Sequence, residues 1–168
     1  MQKIILGLFL VVFASTHAQQ TTAKSAFFKK WENSKEYLIT IAEAMPEQDY
    51  NFKPTERQMS FKEQLLHIQN NMEWLSSTYF RGEKTESTPE NISKQELIES
   101  LTVSFNAVAK AVSETPEREL EDTVDFFAGP KSKLQILNLL QDHLTHHRGQ
   151  LIVYLNLKNI EPPKYVGW

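Results

Sequence analysis

The chain of 168 residues contains no cysteine. This excludes disulfides, a thiol nucleophile and any thiolate-ligated metal, so a metal here would have to be held by His, Asp or Glu. Histidine is itself scarce, with five in the chain. The five glycines form no phosphate-cradling loop, and no Ser/His/Asp set suggests a nucleophile. Lys and Arg are scattered and the formal charge is −3, so nucleic-acid binding has no electrostatic support. Repeats and low-complexity runs are absent as well.

A membrane-spanning run is also lacking. The apolar stretch 4–13 is shorter than the ~20 residues a transmembrane helix needs. It follows Lys3 and precedes 16-THA-18, which offers small residues at the positions signal peptidase reads. This layout predicts a secretory signal peptide over residues 1–18, cleaved after Ala18. The product would be an exported, periplasmic domain over 19–168 with no membrane span and, without Lys3, a formal charge of −4.

What is there is helical periodicity. Phe27, Trp31, Ser34, Leu38, Ile41 and Met45 alternate by three and four, one face of an amphipathic helix that Pro46 ends. Ser60 with Glu63, Ser93 with Glu96, and Ser132 with Gln135 each match a capping box. They predict helices over 61–80, 94–113 and 133–157, the last stopped by Pro162-Pro163. Only 122-DTVDFFAG-129 has β character, as a small hairpin in the connector before the last helix. The expected fold is all-α: a four-helix bundle with a long crossover loop between the third and fourth helices, which reads equally as a lid or binding segment and as a simple overhand connection.

Three of the five histidines crowd into 142-DHLTHHRGQ-150. His143 and His147 are four apart, which puts them on one helical face about 6 Å from each other. That face carries Leu140, Leu144, Leu151 and Tyr154 and so points inward. Two unpartnered inward histidines are costly, and a shared divalent cation or a hydrogen bond to each removes the cost. His67 flanks the apolar stripe of the second helix, beside Trp74, where it could reach a neighbouring helix. Three histidines with an open fourth position are the arrangement of a catalytic zinc.

The remaining candidates surround these. His146 is turned about 60° from His143 and reads as a non-ligand facing a partner, solvent or the site's periphery. Glu63 could orient His67 from one turn away, although its capping role already accounts for it. Asp142 and Gln150 could orient a ligand or substrate, with Trp74 and Tyr154 as further candidates for contact. Arg148 is expected to be tied to a carboxylate. Gly149 costs a helix about 1 kcal/mol relative to alanine, which close packing of another element would explain.

As a set, 44-AMPEQDYNFKPT-55, 60-SFKEQLLHI-68 and 141-QDHLTHHRGQLIVYLNLKNIEPPKY-165 resemble the DinB-like family of metal-dependent enzymes (unrelated to the DNA polymerase of similar name). The resemblance implies a usually dimeric four-helix bundle with a long crossover. It also implies a zinc or nickel ion held by three histidines, here His67, His143 and His147, with water completing the shell. Characterised relatives include transferases and isomerases that use a low-molecular-weight thiol such as bacillithiol or mycothiol. Those relatives are cytoplasmic, whereas this chain reads as exported, away from such a thiol.

The expectation is therefore a metalloenzyme acting on a small molecule. Its ion would acidify a bound water, for hydrolysis, or a substrate thiol, for group transfer. The competing expectation is a non-catalytic metal- or ligand-binding helical dimer.

Overall fold

The computed structural model describes residues 22–84, 88–89 and 91–168. The expected signal peptide over 1–18 lies outside the described residues. Four helices dominate: α1 (Ala23–Ala44), α2 (Phe61–Tyr79), α3 (Lys94–Glu114) and α4 (Lys133–Leu157). Two short 3₁₀ turns (Glu47–Asp49 and Glu117–Glu121) and a two-stranded ribbon complete the described elements. None of the described helices is long and apolar enough to cross a membrane.

The helix starts are where the capping residues put them. Ser60, Ser93 and Ser132 each accept from the backbone N–H three residues on, and Glu63, Glu96 and Gln135 each accept from the cap's own N–H. Each box satisfies two backbone donors that a helix terminus otherwise leaves orphaned. At the other end of α1, Met45 is extended ahead of Pro46, yet its side chain stays fully buried.

The four helices pack as a square in which α1 touches α3 and α4, and α2 touches α3 and α4. Side-chain bonds give the directions. On α1, Lys24 donates to Thr115 O (2.7 Å), Trp31 to Phe105 O (3.1 Å), and Lys94 returns a bond to Met45 O (2.8 Å), so α1 and α3 are antiparallel. The two lysines place cations on the other helix's C-terminal carbonyls, where the helix dipole favours them. Gln141 donates to Phe27 O and Arg148 to Ser34 Oγ, so α4 runs parallel to α1. Lys62 reaches Ile92 O, and Gln69 reaches Ser100 Oγ, so α2 and α3 are parallel to each other. The wiring is therefore up, down, down, up.

The connectors follow from that wiring. Since α3 and α4 lie diagonally opposite, the segment between them crosses one end of the bundle, as expected of the long crossover. It carries the small hairpin, with Thr123 opposite Ser132 and Val124 opposite Lys131. The first strand falls within the predicted stretch, but its partner lies beyond residue 129. Because α2 and α3 are parallel, the chain must also return along their length after α2; Thr88, bonded to Gln69 at 2.9 Å, marks that return path.

Two expectations are corrected. No carboxylate lies within ion-pair distance of Arg148 among the described residues. Its guanidinium is buried, donates to Ser34 Oγ at 3.2 Å and sits 4.9 Å over the Tyr37 ring. Arg148 faces α1, which presents a hydroxyl and an aromatic face there rather than an acid, and the ring's negative face takes the counter-ion's part. Burial holds the Arg148 pKa below its usual value. Gly149 has no close neighbour either: a Cβ built there would meet nothing within 4 Å. Gly149→Ala should therefore raise stability by about 1 kcal/mol through helix propensity alone. Thermal denaturation checks this, and a lowered Tm would mean that the position needs its glycine.

Candidate metal centre

The antiparallel seam of α2 and α4 builds the site. Tyr154 donates to Met59 O (2.8 Å) at one end, Gln64 donates to Gln150 Oε1 (2.7 Å) one turn on, and His67 meets His143 and His147 beyond that. The three imidazole rings stand 4.5–4.8 Å apart between centroids. The Nε2 atoms of His67 and His143 are 3.1 Å apart, and one donor atom from each of the three histidines lies within 4.8 Å of the others.

This donor set fits an ion. Metal–nitrogen bonds of about 2.0–2.1 Å at tetrahedral angles place ligand nitrogens about 3.3 Å apart. The His67–His143 spacing is already near that edge, so the group could hold a metal with modest closure at the third ligand.

The protonation states fit as well. Burial first, and then the neighbouring histidines, push His143 and His147 down to about 4, and burial lowers His67. All three imidazoles are thus neutral at neutral pH and carry the lone pairs that a metal requires. His147 is further fixed by Gln64, whose Oε1 accepts from His147 Nδ1 at 2.6 Å. A carbonyl oxygen can only accept, so the proton sits on Nδ1 and Nε2 presents its lone pair. Gln64 is buried and held in turn by Gln150 and, at 3.4 Å, by the Tyr154 hydroxyl.

Gln64 is the residue that the spacing does not single out, whereas Glu63 keeps the capping role expected of it. The Glu63 carboxylate accepts from Ser60 N at 2.6 Å and pairs with Lys53 at 3.2 Å; no hydrogen bond joins it to His67 among the described residues. The Ser60 backbone bond, with Lys53, holds its pKa below the usual carboxylate range. One residue decides the matter, since a step of 100° along α2 turns Glu63 to solvent and Gln64 to α4. The available signal was a buried-face amide three residues before His67.

The other candidates divide. His146 is exposed and accepts from Gln150 Nε2 at 2.9 Å, its ring edge-on to His147 at 4.9 Å. Gln150 thus links the Gln64 amide to His146, and Tyr154, fully buried, closes the far end of the chain. Asp142 is exposed and makes no hydrogen bond or ion pair among the described residues. Trp74 makes no ring contact with the histidines among the described residues and stacks instead on Phe126 of the crossover at 6.1 Å. A cleft of about 820 Å³ opens on the His67 side, bordered by Lys53, Glu63, Leu66 and Asn70.

The DinB family profile matches residues 16–165, nearly the whole chain. The chain belongs to the DinB family. Among solved structures, a DinB-like protein from Bacillus cereus superposes with a TM-score of 0.69 at 20% identity, covering 83% of this chain and 95% of that one. A DinB-like protein from Bacillus subtilis gives 0.66 at 23% identity, covering 85% and 96%. Both share the DinB fold with this chain. No curated protein matches the sequence.

The depressed histidines predict a pH dependence for the metal-free protein. Their folded pKa values lie below the ordinary 6.5, so the unfolded chain binds more protons as the pH falls. Their stabilising contribution is fully present above pH 6.5 and declines toward about 4. Urea denaturation between pH 7 and about 5, above most carboxylate titration, should show stability falling with pH. The slope should shrink in the double variant His143→Gln/His147→Gln. An unchanged slope would show that these histidines do not carry it.

Proposed function

We propose that this DinB protein is an exported metal-dependent enzyme, a hydrolase acting on a small molecule, with a zinc or nickel ion held by His67, His143 and His147. The convergence of three neutral imidazoles, one of them locked by Gln64, carries this reading. When bound, the ion supplies Lewis acidity, polarising a substrate oxygen or acidifying a water or thiol. The chain's own residues do the rest. Gln64 holds the His147 proton at Nδ1, Tyr154 and Gln150 hold Gln64, and no carboxylate joins the three histidines as a candidate ligand among the described residues, which leaves a position for substrate. Group transfer from a low-molecular-weight thiol is the second reaction such a centre supports. With no cysteine in the chain, that thiol would arrive as a co-substrate. Export and a homodimeric state belong to the same proposal.

Metal analysis tests the reading directly. The protein should take up close to one equivalent of zinc or nickel, and His67→Ala, His143→Ala and His147→Ala should each lose it. Absence of stoichiometric metal under replete conditions would sink the proposal. Gln64→Leu should keep the fold and weaken metal binding by about 10- to 100-fold, as loss of an orienting partner does; titration calorimetry reads this. Hydrolytic and thiol-transfer substrates, screened with and without chelator, then separate the two reactions.

A further inference from the structure

The crossover carries two adjacent phenylalanines that the metal centre does not use. Phe127 is 84% exposed and Trp74 is 41% exposed, high for rings of this size. Phe126 lies 4.3 Å from Phe127, 6.1 Å from Trp74 and 6.0 Å from Tyr79, so four rings form one continuous platform. The platform is held in place. The β-ribbon clamps the turn, Gly129 at φ +90° donates to Phe126 O at 2.9 Å, and Lys133 N reaches back to Asp122 O at 3.0 Å. Gly129 supplies the left-handed conformation that lets the turn close with Phe127 projecting and Phe126 half-buried against the core.

The platform lies along the same α2–α4 seam as the histidines. Trp74 is seven residues after His67, on the same face of α2 and about 10 Å along it. On the α4 side, a cleft of about 300 Å³ is bordered by Phe126, Ile136, Leu139 and Asp142, and by none of the histidines. Leu139 is one turn, about 6 Å, from His143. The apolar rings and the metal-ligating nitrogens therefore lie about 10 Å apart along one helix seam.

We propose that this α2–α4 seam binds an elongated substrate with an aromatic or flat apolar body. The body would stack on Trp74, Phe126 and Phe127 while a polar donor group reaches the histidines about 10 Å away. The proposal rests on the metal-centre reading for the position of the reacting end. A second copy of the chain is a poor occupant. Two partly exposed rings, each of about 150–250 Å², could at most cover about half of the ~800 Å² per partner that a stable interface buries. Such rings do suit one planar ligand, for which aromatic stacking adds to area burial.

The test compares biphenyl-4-hydroxamic acid with acetohydroxamic acid on the zinc-loaded protein by calorimetry. The two share a metal-binding group and differ in the aromatic body. Wild type should bind the biphenyl compound at least tenfold more tightly. In Trp74→Ala and Phe127→Ser, both at exposed positions, that ratio should fall toward one. A ratio near one in wild type, or a ratio retained in both variants, overturns the proposal. So does a shift from dimer to monomer in Phe127→Ser, which would make the platform an interface between copies. His147→Ala separates the two readings: if it leaves both affinities at the wild-type level while the ring variants remove the ratio, the platform stands and the metal centre does not.

Discussion

The register between α2 and α4 is the constraint on which the rest depends. These helices run antiparallel, and a single seam pairs Tyr154 with Met59, Gln64 with Gln150 and His147, and His67 with His143. Sliding one helix by a residue would turn its polar side chains by 100° and dissolve every one of these pairs at once. The capping boxes at Ser60 and Ser132 fix where each helix begins, and so where each histidine points. The lysine clasps between α1 and α3 hold the opposite side of the square. None of these bonds touches the site, yet each restricts how α2 and α4 can meet.

The polar chain through the seam explains how three histidines can sit where the core would otherwise be apolar. A buried amide left without partners costs more than its hydrogen bonds return. Gln64 avoids that cost because its oxygen accepts from His147 and its nitrogen donates to Gln150. Gln150 passes the same polarity outward to His146 at the surface. The network thus has an ordered direction, with tyrosine at the buried end and a solvent-facing imidazole at the other. Burial does the remaining work, keeping the clustered imidazoles uncharged at a pH where three imidazolium ions would repel.

Much of this was legible in the sequence because it depends on local spacing. Three capping boxes placed three helix starts, and the i, i+4 pair His143–His147 announced a shared face. His67 was recognisable as a flank residue, but only the folded square shows that its helix lies against α4. The finer choices were not local. Glu63 and Gln64 are neighbours in a polar stretch, and which one turns inward is set by a seam formed with residues more than eighty positions away. Arg148 invited a carboxylate by its chemistry, but α1 offered a ring and a hydroxyl instead. Gly149 invited a close neighbour, and the bundle placed none there. In each case the side chain's own chemistry was read correctly and its surroundings were supplied by a different helix.

The wiring of the bundle has a consequence for how the site comes into being. His67 and His143 stand 76 residues apart in the chain, with α3 and the whole crossover between them. Helix α4 by itself carries His143 and His147 on one face, and the third nitrogen joins them only where α2 packs against it. The cluster exists only once α4 has docked. An ion taken up there would therefore find three ligands only in the folded bundle.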